Sequence, residues 1–138
     1  AGFIGSPQMN FIETRVADVK RGGLSVKLPG GKEVLVPVDG GDAKVGETVT
    51  LGIRPEHLTV GKGKSSMQGM VTLVEAMGGE SYVYITLADG TFVTLRVAGE
   101  SPVGKGDDVS LSVASDACHL FDENEQAYPL LAKQKLAA

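Results

Sequence analysis

Gly63-Lys64-Ser65 has the residue types that close a phosphate-gripping loop. Such a loop reads G-x-x-x-x-G-K-[ST], so that backbone N–H groups wrap the phosphates, and it follows a buried strand and opens a helix. The position that must hold the first glycine is Leu58, and Met67-Gln68-Gly69-Met70-Val71-Thr72-Leu73-Val74 reads as a further strand. The segment is therefore read as a flexible basic linker between two similar halves. His57, Cys118 and His119 carry the remaining metal or nucleophile chemistry. A zinc site takes three or four ligands at close spacing, which two isolated histidines and one cysteine do not supply. Neighbours on a strand point to opposite faces, so Cys118 and His119 do not form a nucleophile–base pair, and Cys118 is read as structural. Asp122-Glu123-Asn124-Glu125-Gln126 starts like a calcium loop, but Ala127 stands where that loop needs glycine and Lys133 where it needs a bidentate glutamate. It reads as a solvated hairpin turn with Asn124 in the left-handed conformation.

The elements that must position these groups are strands. Val34, Val36 and Val38 share one face, as do Val49, Leu51 and Ile53; the same alternation returns at Val83, Ile85 and Leu87, at Val93, Leu95 and Val97, and at Val109, Leu111 and Val113. Period-two alternation over short runs marks half-buried strands. Pro29-Gly30-Gly31-Lys32 and Ala88-Asp89-Gly90-Thr91 supply turns in which positive φ costs little. The expected fold is all-β, a duplicated barrel with two similar halves and little helix.

The duplication is read from matched segments in the same order. Leu28–Val38 lies over Leu87–Val97 at a shift of 59, and Gly46–Ile53 over Gly106–Val113 at a shift of 60. His57-Leu58 recurs as His119-Leu120. The repeats run approximately over 19–60 and 78–121. Two small barrels of this kind protect their strand edges from mispairing.

The 138 residues make about one domain, large enough to fold without a disulfide or metal. One cysteine forms no internal bridge and points to a reducing compartment. With 13 basic against 17 acidic residues the net charge is −4, which opposes nucleic-acid binding. Gly2-Phe3-Ile4-Gly5-Ser6-Pro7 reads as the cut end of something longer. At Arg54-Pro55-Glu56 the proline, lacking an N–H, ends the strand ladder. Arg54 and Glu56 then either clamp the corner internally or meet a partner subunit.

Gly2–Ile12 together with the run Gly52-Ile53-Arg54-Pro55-Glu56-His57-Leu58 resembles the family of ATP-binding subunits of carbohydrate-type ABC importers, the group serving maltose, related sugars and glycerol 3-phosphate. Phe3-Ile4-Gly5-Ser6-Pro7 is similar to the family's step out of the nucleotide-binding domain, and Met9-Asn10-Phe11-Ile12 to its step into the regulatory domain. Val74–Tyr84 and Cys118–Asp122 match further family segments, so the resemblance covers essentially the whole chain. It departs after Phe121, where many relatives have a glycine.

The resemblance implies a fragment: residues 1–10 end the linker from a missing nucleotide-binding domain, and 11–138 form the regulatory domain, a transport-associated OB-type barrel. Nothing resembles a Walker B strand or an ABC signature sequence, so no cofactor is expected in this fragment; ATP and Mg belong to the upstream domain, and the fragment is not an enzyme. The implied partners are a second copy in a homodimer, the transporter's membrane subunits through the ATPase domain, and a cytoplasmic regulatory protein. The implied location is cytoplasmic, peripheral on the inner face of the cell membrane. Arg54, Glu56, His119, Leu120 and Phe121 are the expected interface residues, with Phe121 as apolar anchor. The alternative is a small-oxyanion-binding module using Gly61–Ser66.

Overall fold

The computed structural model describes residues 8–131, so Phe3–Pro7 and Lys133 lie outside the described residues. Every residue of the five alternating triplets is buried except Val97, which is half-buried against the same core. In chain order the strands are β1 (Asn10–Lys20), β2 (Gly23–Lys27), β3 (Glu33–Val36), β4 (Thr48–Ile53), β5 (Leu58–Val60), β6 (Ser66–Ala76), β7 (Glu80–Leu87), β8 (Phe92–Ala98), β9 (Asp108–Val113) and β10 (His119–Phe121). A short 3-10 helix, Pro55–His57, stands between β4 and β5, and another, Ser115–Ala117, between β9 and β10. The series long strand, hairpin, strand, 3-10 helix, short strand thus occurs twice.

Local hydrogen bonds repeat as well. Val16 donates to Glu47 O and accepts from Gly46 N; Val71 donates to Asp107 O and accepts from Gly106 N. A β-bulge follows each of these valines, between Val16 and Asp18 and between Val71 and Leu73. Each bulge bends its long strand so that it can serve two neighbours.

The two sheets are all-antiparallel, ordered β10-β4-β1-β2-β3 and β5-β9-β6-β7-β8. Each curls into a barrel-like half, and each is completed by the other repeat. β5, from the first repeat, pairs with β9; β10, from the second, pairs with β4. The 3-10 helices follow the same exchange, Pro55–His57 packing against β8 and Ser115–Ala117 against β3. One hydrophobic core joins both halves.

Turn chemistry explains the glycine content. At Gly23, φ is +140° and a Cβ would lie 1.9 Å from Val36 O, so only glycine lets β2 meet β3 there. Three turns share one closing bond. Leu28 N donates to Lys32 O, Leu87 N to Thr91 O and Asp122 N to Gln126 O, each closing a three-residue loop. The third loop residue in each has positive φ: Gly31 at 99°, Gly90 at 94° and Glu125 at 63°. The expectation of a left-handed Asn124 is thereby corrected. The loop must bulge at its third residue, and that residue is Glu125. The Asp122 carboxylate accepts from the N–H groups of Asn124 and Gln126, at 2.8 and 2.9 Å, and holds the turn without glycine.

Candidate partner interface

Gly52 sits mid-strand in β4, paired with Phe11 on β1 and with His119 on β10. Its missing side chain shapes the outer face of this sheet. A Cβ at Gly52 would lie 2.6 Å from Met9 Sδ and 2.9 Å from Phe121 Cε2, so both side chains settle over the glycine. Phe11 and Phe121 meet edge to face, with centroids 5.9 Å apart and planes at 68°. Phe11 remains 55% exposed. Beside the ring pair lies an open groove of about 420 Å³ bounded by Phe11, Thr50, Phe121 and Glu125.

At the other end of the patch stands His119, half-buried. Its pKa lies below the ordinary imidazole value, chiefly because burial disfavours the charged ring and further because Arg54 and His57 are positive neighbours. Arg54 is extended (φ −74°, ψ 150°) and exposed; the 3-10 helix that follows buries Pro55 and leaves Glu56 and His57 exposed. An Arg54–Glu56 clamp is not formed. Residues two apart on a helical turn do not face each other, and the ion pair among the described residues joins Arg96 to Glu80 at 3.8 Å.

Of the five expected interface residues, the fold brings His119 and Phe121 onto one surface with Arg54 close to His119. Leu120 is corrected: on β10 it alternates inward, is 0% exposed and belongs to the core. Sequence reasoning passed over Met9, Phe11 and Gly52. The signals were present in the outward parity of Phe11 beside inward Ile12, and in a glycine between buried Leu51 and Ile53.

Cys118 is buried just before β10, its thiol donating to Ala114 O at 3.4 Å. Burial, with a smaller contribution from Asp116, pushes its pKa up to about 12, which leaves it an inert core thiol at neutral pH. The loop around Gly63 is braced by the chain itself. Ser65 Oγ donates to Glu33 O at 2.9 Å, Ser112 Oγ to Gly61 O at 2.8 Å, and Lys32 Nζ to Ser66 Oγ at 3.2 Å.

Residues 51–121, from within β4 to the last residue of β10, match the TOBE domain family. The chain belongs to the TOBE domain family. Residues 5–58 match the MalK OB fold domain, so the two matches overlap on the segment that carries Gly52, Arg54 and Glu56. The TOBE chain is 37% identical, over 97% of its length, to the maltose/maltodextrin import ATP-binding protein MalK of Aliivibrio fischeri, and 38% identical, over 98%, to that of Vibrio vulnificus. It spans 37% of the length of each. Among solved structures, the cytoplasmic molybdate-binding protein ModG shares the fold, with a TM-score of 0.70 at 17% identity, covering 85% of this chain and 96% of that one. No helix among the described residues is long and apolar enough to cross a membrane.

Proposed function

We propose that this TOBE chain is the C-terminal regulatory and dimerisation part of the ATP-binding subunit of a sugar-type ABC importer. The observation that carries the proposal is the unbroken similarity of nearly the whole chain to import ATP-binding proteins of which it makes up 37%. On this reading ATP and Mg²⁺ are bound and hydrolysis is performed by the rest of the subunit. The subunit is cytoplasmic and meets the membrane only through the transporter's membrane subunits.

The outer patch of β1, β4 and β10 fits the pairing surface. Met9, Phe11 and Phe121 supply an apolar centre, and His119, with Arg54 near it, stands at its rim. Pairing here keeps the partner ATPase at high effective concentration while the nucleotide-binding domains open and close. A cytoplasmic regulator that binds the open arrangement better than the closed one halts uptake by that difference alone. Light scattering after size exclusion, across a hundredfold concentration range, tests the pairing. The expected result is a dimer that dissociates at higher concentration in Phe11→Ala and Phe121→Ala; unchanged association in both variants removes this surface from the proposal.

Small-oxyanion binding at Gly61–Ser66 has less support. The hydroxyls of Ser65, Ser66 and Ser112 already bond within the chain, and the exposed Glu33 carboxylate stands in the adjoining groove. A rise in melting temperature with molybdate, sulfate or phosphate would restore it.

A further inference from the structure

The two repeats differ in how they close their edge strands. In the hairpin β7–β8, the closing bond Leu87 N to Thr91 O fixes the alternation, so Phe92 and Thr94 turn their N–H and C=O groups away from β7. In β2–β3 the closing bond Leu28 N to Lys32 O does the same for Glu33 and Leu35. Leu35 is the repeat counterpart of Thr94, at the shift of 59 that relates the two hairpins.

On β8 the outward pair is taken. Asn10 Nδ2 donates to Thr94 O and Asn10 Oδ1 accepts from Thr94 N, both at 2.8 Å. The counterpart of Asn10 is Ser65, whose carbonyl accepts from Val113 N as β6 begins. Its hydroxyl reaches only Glu33 O. Among the described residues no hydrogen bond reaches the outward N–H and C=O of Leu35, a residue 38% exposed. Further along the same edge an extended segment is already paired: Val38 bridges Leu130, Leu131 N donates to Pro37 O, and Asp39 N to Pro129 O. Among the described residues this pairing covers Pro37 to Asp39, two positions along the edge from Leu35. A groove of about 470 Å³ opens here, lined by Leu35, Pro37, Gly22 and Ser115 with the exposed Lys20 and Lys64. Glu33 lines the groove too, and its carboxylate accepts from Ser25 Oγ at 2.7 Å, leaving the two lysines against one carboxylate.

We propose that the β3 edge at Leu35 is a docking site for an extended acidic peptide segment of a partner protein. The segment adds to the first sheet through the Leu35 backbone and sets its carboxylates against Lys20 and Lys64. The main-chain pair supplies register, and the lysines select the sign of charge.

Amide hydrogen exchange by NMR on the 138-residue chain tests this, with acetyl-Asp-Val-Asp-Val-Asp-amide as probe. In the free chain the Leu35 amide is expected to exchange at least about tenfold faster than that of Thr94. Millimolar probe should slow Leu35 and leave Thr94 unchanged. A probe N-methylated on its backbone, and the double variant Lys20→Glu, Lys64→Glu with the unmodified probe, should show no slowing. The proposal is overturned if Leu35 is as protected as Thr94 in the free chain, whether through self-association that grows with concentration or through residues 132–138, whose removal would then expose it. It is overturned equally if the probe leaves Leu35 unchanged, or if acetyl-Lys-Val-Lys-Val-Lys-amide slows it as much.

Discussion

The Asn10 side chain bonds to both backbone groups of Thr94, 84 residues away, so one carboxamide acts as a single residue of β-strand. Asn10 opens β1 of the first sheet and Thr94 lies on the edge strand of the second, which makes this amide a staple between them. Asn10 is buried, and its removal leaves a shielded donor and acceptor unpaired. Asn10→Ala should lower unfolding stability by about 1–3 kcal/mol. Asn10→Asp keeps the acceptor but sets a carboxylate oxygen against Thr94 O, and should be no better. Urea denaturation reads this as a fall in midpoint at constant slope; a shift worth under about 0.5 kcal/mol would show that water replaces the amide at no cost.

Glu125 stands where the two sister turns have glycine, at φ 63°. A side chain in the left-handed region costs about 1–2 kcal/mol, partly offset by the backbone freedom that glycine loses on folding. Glu125→Gly is therefore expected to raise stability by about 0.5–1 kcal/mol. The reverse change, Gly90→Ala, should lower it by about 1 kcal/mol or more. Thermal unfolding of both variants measures the pair; opposite signs are required, because the two positions share one turn geometry.

The strands were legible because alternation is local information. Val83, Ile85 and Leu87 announce an inward face without reference to any partner, and the matching order of segments announces the duplication. The exchange of β5 and β10 between the halves was not legible. Leu58–Val60 and His119–Phe121 are three-residue strands, and what each pairs with depends on residues about fifty positions or more away. Leu120 was misread for the related reason that a motif match carries no parity. Glu125 was missed because residue preference favours asparagine in the left-handed region, whereas the loop's closing bonds decide which position must adopt it. Gly52 was readable in principle, since a glycine flanked by buried Leu51 and Ile53 marks a close approach. Nothing local says that Met9 and Phe121 are what approaches.

Cys118 gives the alkaline limb of stability a definite sign. Its folded-state pKa is raised from 9.0 to about 12, so above about pH 9 the unfolded chain releases a proton that the folded chain retains. Stability contributed by the thiol is complete below pH 9 and is lost as pH rises toward 12, by about 1.4 kcal/mol per pH unit at most. Tyr82, Tyr84 and Tyr128 are raised too and act in the same direction. The thiol's share is therefore the difference between the native chain and Cys118→Ala, whose slope between pH 9 and 11 should be shallower. Equal slopes would mean that the thiol ionises without unfolding.

His119 acts at the acid side. Its folded pKa is lowered from 6.5, so the unfolded chain takes up the proton first as pH falls through 6.5, and stability from this group, present above that pH, declines below it. Because Arg54 and His57 contribute to the lowering, Arg54→Ala should move the imidazole pKa upward, toward its ordinary value. An NMR titration of the His119 Cε1–H follows this directly. If the patch of Phe11 and Phe121 is the pairing surface, acid should also weaken the dimer, through a new positive charge on each side of the contact. An unchanged His119 titration in Arg54→Ala would separate the two residues electrostatically.

The strand exchange makes the halves interdependent, although each repeat has its own hairpin and bulge. Without the second repeat, β4 loses its pairing with β10; without the first, β9 loses β5. The linker Gly61–Ser65 is the only covalent bridge between the repeats, and Lys62 and Lys64 are exposed within it. Cutting it, with a protease site placed at Lys62, should leave the two pieces bound to each other, since one continuous core and both exchanged strands hold them. The cut complex should unfold in a single transition whose midpoint rises with concentration, the mark of a bimolecular native state. Each piece expressed alone should lack a cooperative transition, because its sheet would have an unpaired edge and its share of the core would face water. A cooperative, concentration-independent transition from 66–138 alone would show that the second barrel needs neither β5 nor the Asn10 staple, and would place the stabilising weight of this fold within each repeat instead of between them.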